Sequence, residues 1–358
     1  MPDAYGDDDG ELLQSFVIPI GSVEGVRPGT EFAVYDPDGA VVATLVARTV
    51  RINEAVLTSE EYEPVVLPLG ARAGVINWRN EDMVLQIYIS PEFPYTTELF
   101  PLVHTDVPHR YMQVDSLEKA QLSLTHIGDG VVLLRWLAGA MARGPHSERR
   151  FTAAGVDWPS ILDALSHFHY FLELTSGSTL TAFSLEMHRL LGEYPGRMPD
   201  RSGDNGGNLI QDGCVHLRSR EDAKYGFTMR NSWYEELFPY LFYFNPIEYT
   251  IRRWFVPESA HRAPLTAAGT VVVGMGSEGA FSFTLPPGDT VESSSGFVKM
   301  FVSTVYLDLG WIEQRVSPFD DKFHDSGRLF SSREQLETGE GWNSLCVFLT
   351  MSNGESGS

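Results

Sequence analysis

Cysteine is nearly absent from this chain, with only Cys214 and Cys346 among 358 residues. That count excludes a disulfide-stapled scaffold and suits a reducing compartment. Long apolar runs are missing as well: no stretch approaches the roughly 18 apolar residues of a membrane-spanning helix. Basic residues are few, 26 Lys and Arg against 48 Asp and Glu, for a formal net charge of −22 at pH 7. Such a balance opposes nucleic acid and anionic membrane surfaces, both of which are held by cations. No Asn-x-Ser/Thr acceptor occurs. Met1 to Glu11 is acidic (Asp3, Asp7, Asp8, Asp9, Glu11) and lacks the basic start and apolar core of a signal peptide. These absences predict a soluble, cytoplasmic protein with no nucleic acid and no membrane among its partners.

What is present is the composition of packed protein, 43% hydrophobic and 12% aromatic. At roughly 150 residues per domain the length allows about two or three domains. The predicted class is α+β and β-rich: a small antiparallel β-barrel, a small α/β unit and a C-terminal antiparallel β-sandwich. An acidic disordered tail over 1–12 precedes the barrel at 13–79. Thr30 to Tyr35 alternates as a strand, Asp36-Pro-Asp-Gly39 has the residues of a turn, and Val41 to Val50 returns. The short spacings leave no room for crossover helices.

The α/β unit is placed at 80–191. Met83 to Ile89 reads as a strand, and Ala120 to Trp136 reads as a hairpin turning at Gly128-Asp-Gly130. Asp157-Trp-Pro159 can cap a helix in which Ile161, Leu162, Leu165, Phe168, Phe171 and Leu172 fall on one apolar face. Thr181 to His188 reads as a further strand. A polar linker, rich in Gly and Pro, follows at 192–207. Short aromatic and β-branched runs then predict the sandwich at 208–350, with a disordered tail at 351–358.

No catalytic residue, cofactor site or metal site is predicted. Gly274-Met-Gly-Ser-Glu-Gly279 fits G-x-G-x-x-G, but an alternating strand pattern follows it where a dinucleotide site needs a helix. Cys214 follows Asp212-Gly and reads as a packed strand residue, since a nucleophilic thiol needs a histidine and an oxyanion hole. His167 and His169 are two apart on a helix and point roughly 200° from each other, so they cannot share a metal. His188 and His216 lack companion ligands. There is no Walker A motif and no G-x-S-x-G. Asp7-Asp-Asp9 lacks the spacing of a calcium loop. Tyr240, Phe242, Phe244 and Tyr249 read chiefly as sandwich core. Trp233, Tyr240 and Trp254 are the candidates for a partner or ligand surface.

Several segments occur in an order that resembles one known family. They are Tyr225-Gly-Phe-Thr-Met-Arg-Asn231, Leu237 to Phe244, Val273-Gly-Met-Gly276, Gly296 to Thr304, Tyr306-Leu-Asp-Leu309 and Ser317-Pro-Phe319. The order resembles the C-terminal, non-catalytic region of caspase-domain (metacaspase-like, peptidase C14) proteins of mushroom-forming fungi. Val26 to Tyr35 is similar to the segment after their protease domain, and Phe151 to Leu172 to the helix between. In that family a protease domain precedes this region. Here only an acidic segment precedes the match, none of the ten histidines is followed by Gly, and no Cys-His-Ser-Gly element occurs. The resemblance therefore implies a fragment, or a relative without the protease. Its expected role is a non-catalytic accessory protein that binds a protein partner or regulates a caspase-like protease, whose protease domain is among the candidate partners. Two further readings stand beside it: a hydrolase using Cys214 or Cys346, and a ligand- or carbohydrate-binding sandwich.

Overall fold

The computed structural model describes residues 5–6, 12–59, 64–79, 84–99, 110–176, 180–203, 205–219, 223–275, 279–283, 285, 293–320, 323 and 341–353. The fold is α+β and β-rich, 43% strand and 10% helix, with several sheets of which one curls into a half-barrel. The predicted class holds.

The chain opens on a short antiparallel pair, β1 (Tyr5–Gly6) and β2 (Leu12–Leu13), within the segment expected as a tail. Five strands follow: β3 (Ser15–Ile18), β4 (Glu31–Tyr35), β5 (Val41–Val50), β6 (Ala55–Thr58) and β7 (Arg72–Asn77). They form one antiparallel sheet in the order β3-β6-β5-β4-β7, with β3 and β7 at its edges. Asp36 makes the β4–β5 turn by accepting the backbone N–H groups of Asp38 and Ala40 on Oδ1, at 2.9 and 2.8 Å. This Asx geometry is why the sequence pattern marks a turn there.

The next sheet holds β8 (Leu85–Ile89), β9 (Tyr111–Val114), β10 (Leu122–His126), β11 (Val131–Trp136) and β12 (Glu148–Thr152), in the order β12-β11-β10-β8-β9. Two four-residue helices, α1 (Thr96–Leu99) and α2 (Gly139–Ala142), accompany it. β10 and β11 are the expected hairpin, while β8 runs parallel to both β9 and β10. The long helix α3 (Trp158–Glu173) starts as the sequence predicts: the Asp157 carboxylate accepts the N–H of Ser160, with Pro159 in the first turn. The expected single apolar face is too narrow. Twelve of its sixteen residues are buried, because the helix is an interior layer and not a surface element. Phe168 packs edge-on against Phe244 and Tyr249 on one side, and Phe171 against Trp311 on the other.

The remaining strands are β13 (Phe183–Leu191), β14 (Met198–Pro199), β15 (Cys214–Arg218), β16 (Tyr225–Asn231), β17 (Phe238–Asn245), β18 (Thr250–Phe255), β19 (Thr270–Val273), β20 (Ser293–Ser303) and β21 (Trp342–Ser352). Two sheets result, β14-β13-β16-β19 and β15-β21-β20-β17-β18. Their facing side chains form one core from Leu185, Met187, Phe227, Met229, Leu241, Val298, Met300 and Val347. The pairs are antiparallel except β15, which runs parallel to β21. The 192–207 segment is a connection closed by β13–β14 pairing, and β13 pairs with β16 over seven residues. Pairing therefore ties the end of the second block to the third. β21 continues to Ser352 with Met351 buried, so the ordered chain extends into the expected tail.

The β15-β21-β20-β17-β18 sheet is covered on both faces. Leu241, Val298 and Met300 point into the sandwich. Tyr240, Phe242, Phe244, Phe297 and Phe301 join the larger core that includes α3 and the first two sheets. β20 is accordingly buried over nine consecutive residues, the signature of a strand with no solvent face.

Candidate functional site

A cleft of about 570 Å³ opens where the C-terminal end of α3 meets the other layers. Its walls come from distant parts of the chain: Ser22 and Arg27 from the loop after β3, Gln121 before β10, Gly139 at the start of α2, His169 and Glu173 from α3, and Trp342 at the start of β21. Thr175 and Ser176, just past the helix, add hydroxyls.

Each wall is fixed by its own bonds. The loop turns at Gly21, where a Cβ would lie 2.2 Å from the Arg51 carbonyl oxygen, so no larger residue fits. Glu24 closes the turn by accepting the Gly21 N–H on Oε2 at 2.7 Å. This carboxyl is buried, and burial pushes it up to about 7; the Gly21 N–H pulls the other way, and Asp308 adds to the rise. Gln121 uses its Oε1 to accept the Gln86 N–H at 2.9 Å. Glu173 accepts the Ala140 N–H on Oε1 at 2.5 Å, tying α3 to α2. Gly139 has φ +76°, and a Cβ there would stand 2.5 Å from Glu173 Oε1 and 3.1 Å from His169 Cε1. Only glycine permits both the backbone angle and the approach.

His169 is the unusual member. Its ring stacks on Trp136 with centroids 5.1 Å apart, and Trp136 Nε1 donates to Tyr249 Oη at 3.1 Å. The residue is 5% exposed, and its Nδ1 is closed off from solvent with no hydrogen-bond partner among the described residues. Burial holds the imidazole below its ordinary pKa, against the pull of the Glu173 carboxylate, so the ring is neutral at neutral pH. A buried orphan ring nitrogen costs free energy unless something satisfies it.

Beneath the cleft lies Lys299, fully buried on β20. Its ammonium donates to the carbonyls of Leu172 and Leu174, both at 2.6 Å, and so caps the negative end of α3. Burial lowers it to about 8. Cys346 is its cross-strand partner. Cys346 is exposed as a residue, yet protein packed around the sulfur holds the thiol above its ordinary pKa, with Lys299 opposing. At neutral pH it is a thiol and a poor nucleophile. Cys214 opens β15, and His216 two residues on directs Nδ1 to Thr350 Oγ1 at 2.6 Å.

The surface candidates lie elsewhere. Tyr240 is 1% exposed, accepts the Leu307 N–H on its hydroxyl, and offers no surface: β17 turns it into the core that includes α3. Trp254 stacks on Tyr243 with rings 4.8 Å apart and nearly parallel. Trp233 is half-buried against exposed Tyr234. None of the three lines the cleft. His167 bonds the Ile312 carbonyl and His188 the Glu186 carboxylate. Among the described residues no three His, Cys, Asp or Glu side chains converge as a metal site requires. No helix among them is long and apolar enough to cross a membrane. Gly274 has φ +83° just after β19, and Phe281 beyond it bridges Tyr225 as sheet; 276–278 of the glycine motif lie outside the described residues. Of the cleft residues only His169 stands out in the sequence, there weighed as a metal ligand. Burial of Glu24 and Lys299 has no local signal.

No protein-family model, no curated protein and no solved structure matches this chain.

Proposed function

We propose that this chain is a non-catalytic binding module whose ligand occupies the cleft at the end of α3. The observation that carries the reading is the cleft itself: a polar cavity of about 570 Å³ walled by Arg27, Gln121, His169 and Glu173. Its volume lies within the roughly 300–1,000 Å³ of small-molecule sites, and such sites favour the meeting points of structural units. The walls draw on the first sheet, the second sheet, α3 and β21, so a ligand there would bind these layers together.

A second reading keeps the protein partner implied by the family resemblance, a caspase-like protease domain being the first to test. The observation favouring it is an exposed apolar cluster on the β13–β14 connection, Leu191, Tyr194 and Met198.

The test of the first reading is native mass spectrometry of the full chain mixed with a protein-free extract of the cells that make it. A bound small molecule is expected. Ser22→Trp, which fills the cleft from its loop, removes that mass shift, with an unchanged far-UV circular dichroism spectrum showing that the fold is kept. A chain that retains no small molecule, or a ligand indifferent to Ser22→Trp, would count against the cleft.

A further inference from the structure

We infer that the cleft selects a neutral, polyhydroxylated ligand, a sugar or similar polyol, over any ligand carrying net charge. This rests on the binding reading above and names the ligand class of the same site. Two features of the walls point to hydroxyl groups.

The first is the pairing of opposite charges. Arg27 and Glu173 both line the cleft, one able only to donate hydrogen bonds and the other only to accept them. An anion would meet the carboxylate and a cation the guanidinium, and like-charge juxtaposition is costly. A hydroxyl donates to one wall and accepts from the other. The second is the remaining lining. Ser22, Gln121, Thr175 and Ser176 are neutral donors and acceptors, and Val26 and Trp342 give a small apolar face. That mixture suits a ring whose edge is polar and whose face is C–H.

The test is calorimetric titration of the full chain with maltose, trehalose, galactose and N-acetylglucosamine, beside citrate, putrescine and lysine. At least one neutral sugar is expected to bind, and tighter than every charged probe. Glu173→Gln then weakens that sugar about tenfold or more, by removing a charge-assisted acceptor. The glutamine oxygen still accepts the Ala140 N–H, so the fold is kept. Sugar binding unmoved by Glu173→Gln and by Ser22→Trp would overturn the assignment to this cleft. Tighter binding of citrate, putrescine or lysine, lost in Ser22→Trp, would overturn the ligand class and leave the binding reading standing. If no probe binds, the ligand class falls; if the extract also yields no ligand, the binding reading falls with it.

Discussion

Lys299→Ala lowers the unfolding free energy of the chain by about 3 kcal/mol at pH 7. The side chain is buried inside a sheet covered on both faces, and its ammonium holds two carbonyls at the end of α3. Truncation removes three buried methylenes, about 0.8 kcal/mol each. It also strips the capping donor from the Leu172 and Leu174 carbonyls, at about 1–3 kcal/mol per orphaned group, though Leu174 keeps the Ser344 hydroxyl. One effect opposes these. Burial holds the ammonium near pKa 8, below its ordinary 10.5, so relieving the buried charge returns at most about 3 kcal/mol at 1.36 kcal/mol per unit. Packing and capping together outweigh it.

The pH dependence carries a definite sign. Below pH 8 folded and unfolded chains both hold the ammonium, and the burial penalty is felt in full. Between about 8 and 10.5 the folded amine has released its proton and the unfolded one has not, so the wild type gains stability as pH rises. The deficit of Lys299→Ala therefore widens from pH 7 to pH 10. Above that the raised phenols of Tyr243 and Tyr249, both near 12, favour unfolding as unfolded tyrosines ionise. Urea titrations at pH 7, 8.5 and 10 read the difference. A variant as stable as wild type would remove Lys299 as the cap of α3.

Glu24→Gln acts in the opposite direction and stabilises the protein by about 1–3 kcal/mol at pH 8. The folded carboxyl keeps its proton to about pH 7 against an ordinary 4.5. Its contribution is thus fully present below pH 4.5 and is lost as pH rises through 7. At pH 8 the wild type carries a carboxylate inside the loop that walls the cleft, paired with backbone donors and facing the charge of Asp308. Glutamine is neutral, matches the shape and still accepts the Gly21 N–H. The ceiling of about 3 kcal/mol is the shift converted at 1.36 kcal/mol per unit. Thermal unfolding from pH 4.5 to 8 checks it: the variant's advantage is absent at 4.5, grows to 7 and then levels. An advantage equal at both ends, or none at pH 8, would mean that Glu24 is not a buried acid.

Local chemistry accounts for what the sequence reveals. Asp157 and Pro159 mark the start of α3, Asp36 to Gly39 the β4–β5 turn, and Gly128-Asp-Gly130 the β10–β11 hairpin, because each is decided by residues adjacent in the chain. What escapes is decided by distant pairing. β13 joins β16 across the 192–207 connection, and β8 lies parallel to β10 with 32 residues between them. Neither leaves a mark on local periodicity. The breadth of the α3 burial escapes for the same reason, since its polar-looking positions His167 and His169 are covered by layers from elsewhere. Lys299 sits at an ordinary alternating position of a strand, and only the second covering layer makes it a buried cap. The cleft is the extreme case: Ser22 and Trp342 share it from opposite ends of the sequence.

The claim on which the functional account turns is that this cleft is occupied when the protein works. Amide hydrogen exchange of the full chain, with and without the protein-free cell extract, measures this segment by segment. The account predicts slowed exchange at 22–27, 121, 139–140, 174–176 and 342, and little change elsewhere. Unchanged exchange there, with protection instead at Leu191 to Met198 or around Trp233 and Tyr234, would contradict it.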